Sequence, residues 1–244
     1  MADRMRVAVL GMAHDHLWTN LRELEAVDGS ELVAGAGPRR GKELPAGPGS
    51  RPHPHTQRLY LLGVFMNSLE IRQALRAGDR VYGSLVSAPA TLWVGMARGT
   101  GLDFVFIDTE HIPNDRQNLS WMCRAYQAAS LPPIVRVPNP DPFEACKVLD
   151  GGADGVIFPY VESVSQIREL IGACRYRPLK GTRLRQALND PASLEPELAS
   201  YLEERNAHSI AVANIESVPA LENLDALVAI DGLDAVLIGP HDLS

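Results

Sequence analysis

Asp108, Glu110 and His111 follow directly on an apolar run, residues 104–107, in the segment FVFIDTEHIPND. An apolar strand with such an ending delivers three ionisable groups to one place. Further polar groups stand at comparable points: Arg136 in PIVRV, Asn214 and Glu216 at the end of SIAVANIE, and Asp242 just after DAVLIGP. His111 belongs to the residue type that titrates near neutrality and suits general acid–base work. The planar fork of Arg136 matches a carboxylate. Glu216 and Asp242 are hard oxygen donors suited to a divalent cation, with the remaining coordination positions left to water or substrate. Together these types predict metal-assisted chemistry on a small carboxylic acid.

Each residue alone also has a plainer reading. A lone acid at a strand end is more often a helix N-cap, as Asp141 before PFEAC is expected to be. Arg136 alone would serve as an ion-pair partner for Asp108, and His111 as a loop histidine. The functional reading rests on such groups falling together at the same end of successive strands.

The elements that must position them follow from periodicity. From about residue 66 apolar runs alternate with amphipathic segments. Strands are expected at 81–87, up to 107, 133–137, 155–160, 209–216 and 234–240, and helices at 67–77, up to 98, 116–129, 141–150, 163–174, 194–205 and 218–229. Residues 175–192 read as an irregular arm. Strands alternating with helices imply a parallel sheet, and in such sheets ligands bind at the carboxyl ends of the strands. Six βα strands fall between 81 and 240. A (β/α)₈ barrel has eight, so the expected fold is an incomplete TIM-type barrel, with an open doubly wound sheet as the alternative.

The head differs. Residues 6–35 show an apolar run, an amphipathic stretch with Leu17, Leu21 and Leu24 on one face, and a second apolar run, which reads as one βαβ unit. Residues 37–58 are rich in Gly, Pro and Arg without periodicity and read as a linker. The expected organisation is a βαβ fragment over 1–36, a linker over 37–65 and a barrel domain over 66–244.

Composition sets the outer limits. In 244 residues, 45% hydrophobic, the chain can bury one large core. With 23 Lys+Arg against 30 Asp+Glu, the net charge is −7 and no basic block occurs, so no nucleic-acid partner is expected. Cys123, Cys146 and Cys174 are far apart and form no CxxC, which fits neither a disulfide framework nor a thiolate metal site and points to a reducing, cytoplasmic setting. No run of 18 apolar residues exists to span a membrane.

In order and spacing, FVFIDTEHIPND, PIVRVPNPDP, KVLDGGADGVIFPYVES, RYRP and ANIESVPALENLDALVAIDGLDAVLIGPHDLS resemble the HpcH/HpaI aldolase/citrate lyase family over roughly residues 66–244. The resemblance implies a (β/α)₈ barrel that cleaves a 4-hydroxy-2-oxo acid to pyruvate, or a related 2-oxo acid, and an aldehyde, with Mg²⁺, Mn²⁺ or Co²⁺ as cofactor. It implies Glu216 and Asp242 as metal ligands, Arg136 as the group that grips the oxo acid, His111 as the acid/base and Asp150 as the acidic partner of that histidine. Asn214, Gly239 and Pro240 fall at substrate-binding positions, Asn214 standing where relatives have Gln. Asp108 is expected to orient Arg136, and Glu110 to lie behind the metal water. No lysine is expected at a strand end, which favours the metal route over a Schiff base. Family members are commonly hexameric, so a homo-oligomer is expected. They also continue past GPxDLS with two more βα units, so the barrel here is expected to be truncated at its carboxyl end.

Residues 6–35 resemble the opening of the glucose-fructose oxidoreductase type of dehydrogenase, with Gly11 present but Ala13 and His16 where the dinucleotide fingerprint has Gly. Two other functions are therefore kept beside the aldolase: a silent remnant that only binds metal or oxo acid, or serves as an interaction module, and a nicotinamide-dependent oxidoreductase.

Overall fold

A computed structural model describes residues 65–239 and Asp242, together with two amino-terminal strands, β1 (Met5–Val9) and β2 (Ser30–Gly35). The expectations for Gly11, Ala13, His14, His16, Leu17, Leu21, Leu24, His53, His55 and Pro240 lie outside the described residues. Six further strands follow: β3 (Gly83–Val86), β4 (Phe104–Asp108), β5 (Pro133–Arg136), β6 (Gly155–Phe158), β7 (Ile210–Ile215) and β8 (Ala235–Ile238). From β3 to β8 each strand pairs in parallel with the next, as the alternation predicts. This is the α/β architecture of an incomplete (β/α)₈ barrel.

The helices between strands are α1 (Ser68–Ala77), α2 (Thr91–Arg98), α3 (Arg116–Ala128), α4 (Pro142–Gly151), α5 (Val164–Arg175), α6 (Gly181–Asn189), α7 (Pro196–Asn206), α8 (Val218–Glu222) and α9 (Leu224–Val228). Their starts are written in the sequence. Asn67 and Glu70 form a reciprocal capping box on α1, and the side chains of Asp115, Asp141, Ser163 and Ser217 accept N–H bonds at the starts of α3, α4, α5 and α8.

Two expectations are corrected. The arm over 175–192 is not irregular: α6 occupies much of it and buries Leu184 and Ala187. Its two apolar anchors sit among Thr, Arg and Gln, too few to announce a helix without the surface they pack on. The helix expected over 218–229 is two helices. Asn223 separates them, its Nδ2 donating to the carbonyls of Pro219 and Glu162, so that a side-chain bond takes over at the break.

Strand parity sorts the apolar residues into two cores. Val105, Ile107, Val135, Val156, Phe158, Ala213, Ile215, Val236 and Ile238 face the helices that return between strands. Phe104, Phe106, Ile134, Ile157, Ile210, Val212, Ala235 and Leu237 face the other side and pack with Ile71 and Leu75 of α1. Helix α1 therefore plugs the concave face of the half-barrel. At the amino end of the strands this plug is locked by Asp234, whose side chain is fully buried. It accepts from Arg72 Nε at 3.0 Å, Arg175 Nη2 at 2.6 Å and the Ala211 N–H at 2.9 Å.

The amino-terminal strands extend the same sheet. β1 pairs in parallel with β2. β1 also pairs in parallel with β8, Val7 against Val236 and Ala8 against Leu237, giving the order β2-β1-β8-β7-β6-β5-β4-β3. The edge that the six-stranded reading leaves open beside β8 is thus covered by the chain's own head.

Candidate active site

The alternation that puts Phe104 and Phe106 on the concave face puts Asp108 there too, one step beyond the apolar layers. The same step carries Ile134 to Arg136, Ile210 and Val212 to Asn214 and Glu216, and Ala235 and Leu237 to Gly239. Parallel strands end on one side, so this layer converges at the carboxyl end of the sheet. Asp108 and Arg136 are direct neighbours in register.

Arg136 is the hub. Its Nε and Nη2 donate to the two Asp108 oxygens at 2.9 and 2.8 Å, a bidentate pair that fixes the plane of the fork. Nη1 lies 3.5 Å from Glu216 Oε1, and Glu110 Oε2 lies 3.1 Å from Nε. The Nε hydrogen is committed to Asp108, so that Glu110 oxygen is ion-paired yet buried without a hydrogen bond. Burial alone would lower the Arg136 guanidinium, but Asp108, Glu110 and Glu216 raise it above its ordinary range. Burial pushes the Asp108 carboxyl up, and the Arg136 fork with the Glu110 N–H outweighs it, leaving that carboxyl below its usual range.

Glu216 is 2% exposed. Its Oε2 accepts the Tyr160 N–H at 3.0 Å and its Oε1 is bonded by Asn214 Nδ2. Burial, with the nearby charges of Glu110 and Asp242, raises its carboxyl above the ordinary range despite the Tyr160 N–H and Arg136. Gly239 passes close over it: a Cβ there would stand 2.5 Å from Glu216 Cγ. Asn214 Oδ1 is buried and has no hydrogen-bond partner. Asp242 is exposed in a turn beyond β8. Among the described residues no three His, Cys, Asp or Glu side chains form a ready cluster. What is present fits a hard cation nonetheless: the charge of Asp242 reaches the buried Glu216 carboxyl, and the orphaned Asn214 amide oxygen belongs to the side chain bonded to Glu216.

His111 reaches outward, with Nε2 3.8 Å from Glu110 Oε2 and the side chain 65% exposed. Asp150 is not brought to it. It lies in the last turn of α4, which runs back to the amino end of β6, so within one chain it stands at the opposite end of the sheet. There its Oδ1 faces Arg177 at 3.7 Å and Arg205 at 3.9 Å. Lys147, paired with Glu144, lies in α4, and Lys180 precedes α6 beside the Phe143 ring.

Tyr160 was not singled out by sequence reasoning. It follows β6 in the left-handed region, φ 47°, a conformation most side chains avoid, and that turn aims its N–H at Glu216. Its ring is half exposed, and its phenol, beside the charge of Asp242, is raised above its ordinary range. The sequence signal was slight: a bulky aromatic where the chain leaves a buried strand.

The fold is that of an incomplete (β/α)₈ barrel with a cationic fork, buried carboxylates and a histidine at its strand ends. The HpcH/HpaI aldolase/citrate lyase family model matches residues 85–244, and the chain belongs to that family of carbon–carbon lyases. It is 34% identical over 182 residues to the 2-keto-3-deoxy-L-rhamnonate aldolase of Salmonella gallinarum, covering 73% of this chain and 68% of that one. Among solved structures, citrate synthase SbnG is 36% identical with a TM-score of 0.60, covering 72% of this chain and 67% of that one. The HpcH/HpaI aldolase of Desulfitobacterium hafniense DCB-2 is 29% identical with a TM-score of 0.59, covering 71% and 67%.

Proposed function

We propose that the chain is a class II aldolase: with a divalent metal, it cleaves a 4-hydroxy-2-oxo acid to pyruvate, or a related 2-oxo acid, and an aldehyde. The observation that carries this reading is the Arg136 fork, held flat by Asp108 beside the buried Glu216 carboxylate. It gives one place where a fixed cation and metal-binding oxygens both face a small acid.

Glu216 and Asp242 would hold the cation, Mg²⁺, Mn²⁺ or Co²⁺, with Asn214 beside them. When bound, the cation supplies Lewis-acid polarisation of the oxo group. Arg136 grips the substrate carboxylate and adds positive charge where negative charge develops during cleavage. Asp108 holds that fork in plane, so little reorganisation is required as the charge grows. His111, exposed at the rim and flanked by Glu110, takes the proton from the 4-hydroxyl and returns one to the carbon left behind. Gly239, lacking a Cβ, lets the Glu216 side chain pack against the strand end, and Gly239 and Pro240 belong to the substrate side by their match to the family pattern. Asp150 belongs to this machinery only by its match to the family pattern, since its place in this chain is remote from His111. A homo-oligomer and a small-molecule substrate, without nucleic-acid or membrane partners, complete the reading.

The test is pyruvate release from a series of 4-hydroxy-2-oxo acids, coupled to lactate dehydrogenase, with Mn²⁺ and with EDTA. Release that needs the metal supports the aldolase. No metal-dependent release from any of them overturns it in favour of a binding-only protein.

A further inference from the structure

We propose that the amino end of the sheet carries a second binding site, specific for a small oxoanion and centred on Arg177. A cleft of about 190 Å³ opens there between the end of α4, the turn into β6, the segment after α5 and the end of α7. Arg124, Asp150, Asp154, Arg177, Arg205 and His208 line it.

The charges within it do not match. Three guanidinium groups and His208 face two carboxylates, and one of these, Asp154, lies beside Arg124 and His208 while its Oδ1 accepts from Gln127 Nε2 at 3.0 Å. That leaves Asp150, whose Oδ1 stands 3.7 Å from Arg177 Nη1 and 3.9 Å from Arg205 Nη2, beyond hydrogen-bond length in both directions. The Arg177 side chain is only 8% exposed, and its Nε is buried without a partner. A buried guanidinium N–H that makes no hydrogen bond costs folding free energy that a paired one does not.

Burial and the like charge of Arg205 both lower the Arg177 pKa, the strain that an added anion relieves. Arg205, its side chain 39% exposed, lies over the Tyr201 ring with Nη2 turned toward Asp150. An oxoanion seated between Arg177 and Arg205 accepts from both forks, with Arg124 and His208 at the rim. The volume suits an inorganic phosphate or a short polycarboxylate and falls below that of drug-sized pockets, about 300–1,000 Å³.

The experiment titrates the full chain with sodium phosphate and, separately, citrate at constant ionic strength set by chloride, reading the unfolding temperature and the heat of binding. We expect a saturable rise in unfolding temperature with at least one of the two, and which anion gives it identifies the ligand as phosphate-like or carboxylate-like. The rise should persist in Arg136→Met, which removes the oxo-acid grip at the other end. It should fall at least tenfold in apparent affinity in Arg205→Gln, an exposed substitution that spares the fold, and in Arg177→Gln. Asp150→Asn, which removes the competing carboxylate, should tighten binding. The proposal is overturned if neither anion gives a saturable rise, if the rise disappears in Arg136→Met, or if Arg205→Gln leaves it unchanged.

Discussion

At the residue scale, Arg136 and Asp108 set what the site can do. A lysine in place of Arg136 keeps the charge and loses the fork, so it can satisfy Asp108 or the substrate carboxylate but not both with fixed geometry. Arg136→Lys should lower kcat/KM for pyruvate release about 10²–10³-fold, the scale on which removal of one preorganised donor is felt. Circular dichroism should remain unchanged. Asp108 also sets a pH dependence. Its carboxyl is held below the ordinary range in the folded chain. The stability it contributes is therefore fully present above the unfolded aspartate value of about 3.9 and is lost as pH falls through the lower folded value. Thermal melts from pH 6 downward should show a steeper acid limb in the native chain than in Asp108→Asn; parallel limbs would contradict this.

Much of this layer was legible because a strand's period of two continues past its apolar residues. Once 104 and 106 point one way, Asp108 must follow, and Glu216 follows from 210 and 212 in the same manner. Asp150 lies apart from this layer within one chain. It sits at the end of a helix in a βα unit, and such an end always lies at the amino side of the next strand, far from the strand-end histidine. Tyr160 was hidden because its role depends on a backbone angle that no residue type there requires.

At the element scale, Asp234 ties α1, α5, β7 and β8 into one block. It joins partners 162 residues apart in sequence, Arg72 and Asp234, which is why no local pattern disclosed it. Asp234→Ala removes the carboxylate that pairs with Arg72 and Arg175 and leaves the Ala211 N–H without its acceptor. It should destabilise the chain by about 3–5 kcal/mol, the range for breaking one side of a buried ion pair. Urea denaturation checks this, and a loss under 1 kcal/mol would refute the buried lock. Helix α6 stayed hidden for a related reason: its meaning lies in the surface it covers, not in its own short pattern.

At the scale of the whole molecule, the unusual feature is the sheet order. The head reads as a βαβ unit from another kind of fold, yet its first strand lies parallel against β8. A strand edge left bare invites pairing with other chains, and β1 removes that edge. Deleting residues 1–36 should speed amide exchange in β8, lower the unfolding temperature and promote aggregation. Unchanged exchange in β8 would mean that the head does not pair there in solution. The sequence could suggest each half of this arrangement. It could not disclose their contact, because parallel pairing between Val7 and Val236 spans almost the whole chain and leaves no periodic trace.

The central claim is that strand ends brought together by parity form one metal and oxo-acid site. Mn²⁺ binding followed by electron paramagnetic resonance, with and without pyruvate, addresses it most directly in the native chain, Glu216→Gln and Arg136→Met. The native chain should bind Mn²⁺ with affinity that rises when pyruvate is added, Glu216→Gln should lose the metal, and Arg136→Met should keep the metal but lose the pyruvate effect. Equal Mn²⁺ binding by the native chain and Glu216→Gln would contradict the claim.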